Sequence, residues 1–165
     1  MSEPASIAAE PATWRVREAT PRDAHAIAEA VHALLLELGG NPAAAPVIEE
    51  AAQTLLGDPE AGVLLVAESN GAGLVGLLGA SWQSALHIPG RYGLIQELWV
   101  HPSWRGRAIG RDLLEGVFAH ASARRIARVE VGLPSDGFAG LAATEAFYRG
   151  NGFELLGARM RRTLL

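Results

Sequence analysis

The chain has 165 residues, 49% of them hydrophobic and 19% charged, with no cysteine. That is apolar material enough for one domain with a sizeable core, and the missing thiols exclude disulfides, thiolate metal sites and cysteine nucleophiles. A formal net charge of −4, with all 14 basic side chains arginine, argues against a general nucleic-acid or membrane-surface binder.

Residues 1–12 are acidic and proline-bearing and read as a tail, without the basic start and apolar run of a secretory leader. No later run approaches the roughly 18 apolar residues of a membrane span, and a cytoplasmic setting is expected. One domain is expected over 13–165. "TWRVREAT" alternates as a first strand. In "TPRDAHAIAEAVHALLLELGG", Thr20, Pro21 and Asp23 make a helix start. Ile27, Val31, Leu34, Leu35 and Leu38 form the apolar stripe, and Gly39-Gly40 ends it. "PVIEEAAQTLLGDP" reads as a second helix stopped by Gly57.

"GVLLVAES" and "LVGLLGASWQSA" flank the turn "NGAG" and predict a hairpin; "HIPGRYG" reads as a loop. "LIQELWV" is a buried strand, and "IGRDLLEGVFAHASARR" is the amphipathic helix after it. "IARVEVGL" is a strand, "LAATEAFYRG" a helix closed by Asn151-Gly152, and "FELLGARMRRTLL" one or two last strands. This order predicts an α/β fold, a mixed sheet flanked by helices.

Between the buried strand and its helix lies Arg105-Gly106-Arg107-Ala108-Ile109-Gly110. The first backbone N–H groups of a helix lack internal partners, and the helix dipole adds roughly half a positive charge there. Glycines admit a ligand to the backbone and arginines add charge-assisted hydrogen bonds, so the segment suits a phosphate. It is neither a Walker loop nor a GxGxxG fingerprint.

The stretch "ELWVHPSWRGRAIGRDLL" resembles the signature of the GNAT superfamily of N-acetyltransferases, Arg/Gln-x-x-Gly-x-Gly/Ala after a strand ending in Val-x-Pro. "EAFYRGNGF" is similar to that family's helix end, with Tyr148 at its usual tyrosine. Two positions depart from the pattern: Ala108 stands where glycine is usual, and Leu141 stands where an asparagine is frequent. The resemblance implies a mostly antiparallel sheet of about six to seven strands with about four helices, splayed between the fourth and fifth strands. It also implies acetyl-CoA as acyl donor. Its pyrophosphate would lie on Arg105, Gly106, Arg107, Ala108, Ile109, Gly110 and Arg111, and its arm along the backbone of Leu98, Trp99 and Val100 at a β-bulge.

Acetyl transfer needs a neutral amine, yet with a reference pKa near 10 only roughly one alkyl amine in a thousand is neutral at pH 7. Glu97 is the candidate base. Strand alternation sets it beside Ile95 and Trp99, where desolvation raises its pKa. The resemblance makes Tyr148 the acid that protonates the leaving sulfur, an uphill transfer between groups of about 10 and 8.5. Read without chemistry, Glu97 is a strand carboxylate paired with arginine and Tyr148 a packed aromatic bonded to backbone.

The acceptor is expected to be an amine of a small molecule or peptide, held by the first helices and the third-to-fourth-strand connection. That names His32, Trp82 and His87, with Glu37, Asn41 and Arg91 as neighbours. "SWQSALHIPGRYG" is either a lid or part of a homodimer interface. The five histidines have no ligand spacing, so no metal is expected. Two alternatives stay open: a non-catalytic acyl-CoA-binding module, and a transferase of longer acyl groups.

Overall fold

In a computed structural model, residues 13–164 are described; the tail expected over 1–12 lies outside them. Strands β1 (Trp14–Glu18), β2 (Gly62–Ser69), β3 (Gly73–Ala85) and β4 (Ile88–Val100) pair antiparallel in chain order. Strand β5 (Val129–Val131) adds to β4 in parallel. Helices α1 (Ala24–Glu37) and α2 (Ala45–Leu56) precede β2, α3 (Ile109–Ala123) makes the β4-to-β5 crossover, and α4 (Leu141–Gly150) follows β5.

Both faces of the sheet are covered, which is why β2 reads as an unbroken apolar run. On one face Leu64, Val66, Leu77 and Trp99 pack with Ile27 and Ala30 of α1 and Ala52 of α2. On the other Leu65, Val75, Leu78 and Ile95 pack with Leu113, Leu114 and Val117 of α3 and Tyr148 of α4. Each such fully buried aliphatic side chain contributes about 1.5–3 kcal/mol by leaving water. The start of the first helical segment is built as its sequence suggests: the Thr20 N–H donates to the Asp23 carboxylate at 2.7 Å. Arg17 on β1 pairs with the same carboxylate at 2.8 Å and holds its pKa down at about 2.

The sheet has five strands rather than six or seven. Residues 153–164 form no strand: Gly157 at φ 132° leaves the extended region, and Leu155, Leu156 and Met160 stay exposed. β4 also begins earlier than its sequence suggests. "HIPGRYG" is not a loop, because Ile88, Arg91 and Tyr92 pair with Ala85, Ser84 and Gln83. A register shift at Ser84/Ala85 absorbs Pro89 and Gly90, the residues that punctuate the sequence like a loop. β3 and β4 thus form one long hairpin turning at Leu86-His87. No helix among the described residues is long and apolar enough to cross a membrane.

Two irregularities of β4 open the sheet and set which way its side chains point. Its parallel ladder with β5 is confined to Gly93, Leu94 and Ile95, although the strand runs on to Val100. Its ladder with β3 skips a residue: Gly79 faces Glu97 and Ala80 faces Ile95, so Gln96 is bulged.

Candidate active site

Bulging one residue reverses the alternation beyond it. Ile95 belongs to the layer of α3 and α4, whereas Trp99 belongs to the layer of α1 and α2. Glu97 therefore shares a face with Trp99 but not with Ile95, which corrects the grouping expected from simple alternation. Its carboxylate lies over β3, where Gly79 makes room: a methyl there would sit 2.5 Å from Glu97 Oε2 and 3.1 Å from Leu64. The Glu97 side chain forms no hydrogen bond or ion pair among the described residues, so no arginine there neutralises it. Desolvation alone pushes its pKa up to about 7.

Tyr148, 7% exposed, packs on the opposite face with ring centroids 5.2 Å from both Phe147 and Phe153. Burial raises its pKa to about 12, so it stays protonated at neutral pH. Its hydroxyl has no hydrogen-bond partner among the described residues. Glu97 and Tyr148 thus lie in opposite layers of the sheet, Glu97 two residues beyond the end of the β4–β5 ladder.

Beyond Val100 a short turn, Pro102–Trp104, leads into the arginine-rich loop. Gly106 and Ala108 take the left-handed conformation, at φ 75° and 67°. For Gly106 this is free of strain; for Ala108 its Cβ makes it costly by about 1 kcal/mol. No side chain caps α3, and its first backbone hydrogen bond beyond the turn is Asp112 N–H to Ala108 O at 3.0 Å. Residues 105–108 are exposed, and among the described residues the backbone N–H groups of 106–108 have no backbone partner. Gly110 is closely packed instead, since a Cβ there would meet Phe147 of α4 at 3.1 Å.

The arginines of the loop differ. Arg107 stacks over Trp104 at 4.9 Å and stays exposed, as does Arg111. Arg105 is engaged by protein: Nη2 donates to both carboxylate oxygens of Glu37, at 2.9 and 2.7 Å, and Nε to Val100 O at 3.0 Å. The acetyltransferase (GNAT) domain family matches residues 60–155. The chain belongs to the GNAT family.

As a GNAT-type N-acetyltransferase it has relatives of the same shape but distant sequence. A predicted acetyltransferase with acetyl-CoA from Clostridium acetobutylicum shares 16% identity at a TM-score of 0.74, covering 92% of this chain and 96% of that one. Glucosamine-6-phosphate N-acetyltransferase from Arabidopsis thaliana has 15% identity and a TM-score of 0.73, covering 92% and 98%. An aminoglycoside antibiotic 6'-N-acetyltransferase from Acinetobacter baumannii has 13% identity and a TM-score of 0.76, covering 93% and 99%. No curated protein matches in sequence.

Within this GNAT domain the backbone of Leu98, Trp99 and Val100 borders the gap beside β5, because the parallel ladder has already ended at Ile95. The acceptor-side residues are not brought together. His32 is half-buried on α1, on Glu97's side of the sheet, while His87 is exposed at the hairpin turn. Trp82 is 5% exposed in the opposite layer, stacked under Arg124 at 5.5 Å, with its Nε1 buried and unpartnered among the described residues. It therefore does not join His32 or Glu97. Sequence reasoning missed the Glu37–Arg105 pair and the role of Gly79. A carboxylate ending a helix and a glycine amid an apolar strand were the available signals. Among the described residues, no three His, Cys, Asp or Glu side chains are grouped to hold a metal.

Proposed function

We propose that this GNAT domain transfers an acetyl group from acetyl-CoA to an amine of a small molecule or peptide, by direct attack of the amine on the thioester. The observation that carries the reading is the end of β4: its ladder to β5 stops at Ile95, and the strand runs on beside a gap toward an uncapped helix start. A thioester arm fits between the parted strands, and a pyrophosphate fits the loop amides of 106–111. The relative carrying acetyl-CoA and those named for amine substrates support donor and acceptor class.

The ammonium first gives one proton to solvent, and Glu97, its pKa raised to about 7 by desolvation, accepts the proton that the neutral amine's nitrogen loses as it becomes an amide, directly or through water. The amine nitrogen bonds to the thioester carbon, and backbone N–H groups of the bulged strand stabilise charge on its oxygen. The carbon–sulfur bond breaks, and Tyr148 gives its phenolic proton to the departing thiolate. A phenol at about 12 is a weak acid for this, but the same apolar surroundings raise the thiolate's proton affinity too. Solvent then returns a proton to Tyr148 and takes one from Glu97.

The test is a thermal-shift titration with acetyl-CoA and CoA against ATP and NAD, followed by amine screening for CoA release. At about 100 times its dissociation constant a native-state ligand adds ~2.7 kcal/mol, a shift of several degrees. Shifts with acetyl-CoA and CoA but not NAD, then amine-dependent CoA release, are expected. Binding without turnover on any amine class would favour a sensing module; no shift would sink the donor assignment.

A further inference from the structure

Glu37 stands where local electrostatics disfavour it. It is the last residue of α1, and a carboxylate there faces the negative end of the helix dipole. The position is well defined, because Gly40 N–H bonds back to Leu35 O at 2.9 Å and Gly39 takes φ 74°. What the carboxylate gains are donors from two other elements. Arg105 Nη2 binds both its oxygens, and Trp99 Nε1 donates to Oε1 at 3.2 Å. Arg105 in turn holds Val100 O. One side chain on α1 is thereby tied to both flanks of the loop, the end of β4 before it and the turn inside it.

Stability does not explain the arrangement. The two side chains are 49% and 34% exposed, and ion pairs that wet contribute little. Three of the five guanidinium donors of Arg105, on Nε and Nη2, are committed to Val100 O and Glu37, which holds its plane against the protein and leaves only the two on Nη1 for anything else. The positive field at the loop then comes from the α3 amides and from Arg107 and Arg111.

We infer that Glu37 is a positioning residue for the donor site: through Arg105 and Trp99 it sets the loop so that backbone amides, rather than the Arg105 side chain, meet the pyrophosphate. This rests on the acetyl-CoA reading above. It makes a prediction of sign. If Arg105 were a direct phosphate ligand, neutralising Glu37 would release it and tighten binding. If Arg105 is a strut, the same change loosens the loop and weakens binding.

Acetyl-CoA is titrated calorimetrically into the wild type, Glu37→Gln, Glu37→Asp, Arg105→Gln and the Glu37→Gln/Arg105→Gln double variant, with melting temperatures measured alongside. Glu37→Gln is expected to weaken binding about tenfold, the scale of one charge-assisted hydrogen bond. Glu37→Asp, which keeps the charge on a shorter arm, should recover part of that loss and serves if the glutamine variant folds poorly. The double variant should bind no more weakly than Arg105→Gln, because both changes cut one connection. S-Acetylpantetheine, which lacks the pyrophosphate, should bind wild type and Glu37→Gln alike. Equal or tighter acetyl-CoA binding by Glu37→Gln overturns the inference, and so does an equal loss for both ligands, which marks a general packing defect. Failure of the wild type to bind acetyl-CoA is a different result, and removes the functional reading beneath it.

Discussion

The two ends of α3 force a residue with a side chain into the left-handed backbone region, Ala108 at φ 67° and Arg125 at φ 57°. At the C-terminal end the backbone is fully used. Ile126 N–H returns to Ala121 O at 2.9 Å and Arg125 N–H to Ser122 O at 2.9 Å, the paired bonds that close a helix through a left-handed residue. At the N-terminal end nothing among the described residues caps the helix, and Gly110 there packs against Phe147, next to Tyr148 with its unbonded hydroxyl. The same strain serves completion at one end and incompletion at the other. The unsatisfied end beside the parted ladder is the one to which the proposed function assigns a ligand. Changes at that end should therefore alter binding or turnover, and changes at the far end should alter stability alone.

Glu97→Gln is the severest way to test the contrast, with turnover expected to fall by about 10²–10⁴ as the base is lost. Its stability should move the other way. The folded carboxyl titrates near 7 and an ordinary one near 4.5, so the native state holds more protons between them and the wild type loses stability as pH rises through that window. The glutamine variant should melt higher above pH 7, by up to about 3 kcal/mol, with the gap closed below pH 4.5. A calorimetric pH series checks this; identical curves would mean that Glu97 titrates normally. Gly110→Pro comes next, with acetyl-CoA affinity expected to drop about 100-fold as an amide is removed and the helix start reshaped against Phe147. Unchanged affinity there would break the assignment of the N-terminal end.

Tyr148→Phe should lower turnover about tenfold or more while acetyl-CoA affinity stays within about threefold, the pattern of a lost acid rather than lost packing. Steady-state and binding measurements on one preparation decide it. Ala108→Gly should raise stability by about 0.5–1 kcal/mol and also shift acetyl-CoA affinity, since the freed turn belongs to the site. The mildest change, Arg125→Gly, should add about 0.5 kcal/mol and leave affinity untouched. Were Arg125→Gly to change binding as much as Ala108→Gly, the two ends of the helix would not differ in function.

Legibility followed the kind of atom that does the work. The proposed donor loop relies on consecutive backbone amides, so six adjacent residues from Arg105 to Gly110 suffice to suggest it in the sequence. The same locality made the β2–β3 hairpin readable from "NGAG" between two apolar runs. The acceptor side would be assembled from side chains on α1, α2 and the β3–β4 hairpin, and no short pattern joins those segments. Trp82 shows the hazard, for its residue type suited an acceptor pocket while its strand position sent it to the other layer. Pro89-Gly90 misled for a different reason, because a bulge tolerates the same residues as a loop. The face of Glu97 was also misjudged from alternation, although the adjacent polar pair Gln96-Glu97 inside an apolar strand already broke the two-residue rhythm.

That bulge has a hereditary consequence. Glu97 keeps its side of the sheet by pairing with Gly79, next to the Ala80–Ile95 pair, so Gln96 is an extra residue in the ladder whatever its chemistry. Substituting Gln96 leaves that extra residue in place, whereas losing its single codon would leave Glu97 opposite Gly79 in a regular ladder and remove the bulge, with the backbone groups it frees. Every functional side chain would still be encoded, in the original order and on its original face, and only the irregular backbone would be gone. Descendants of this sequence should therefore drift freely in letter at position 96 while keeping a residue there.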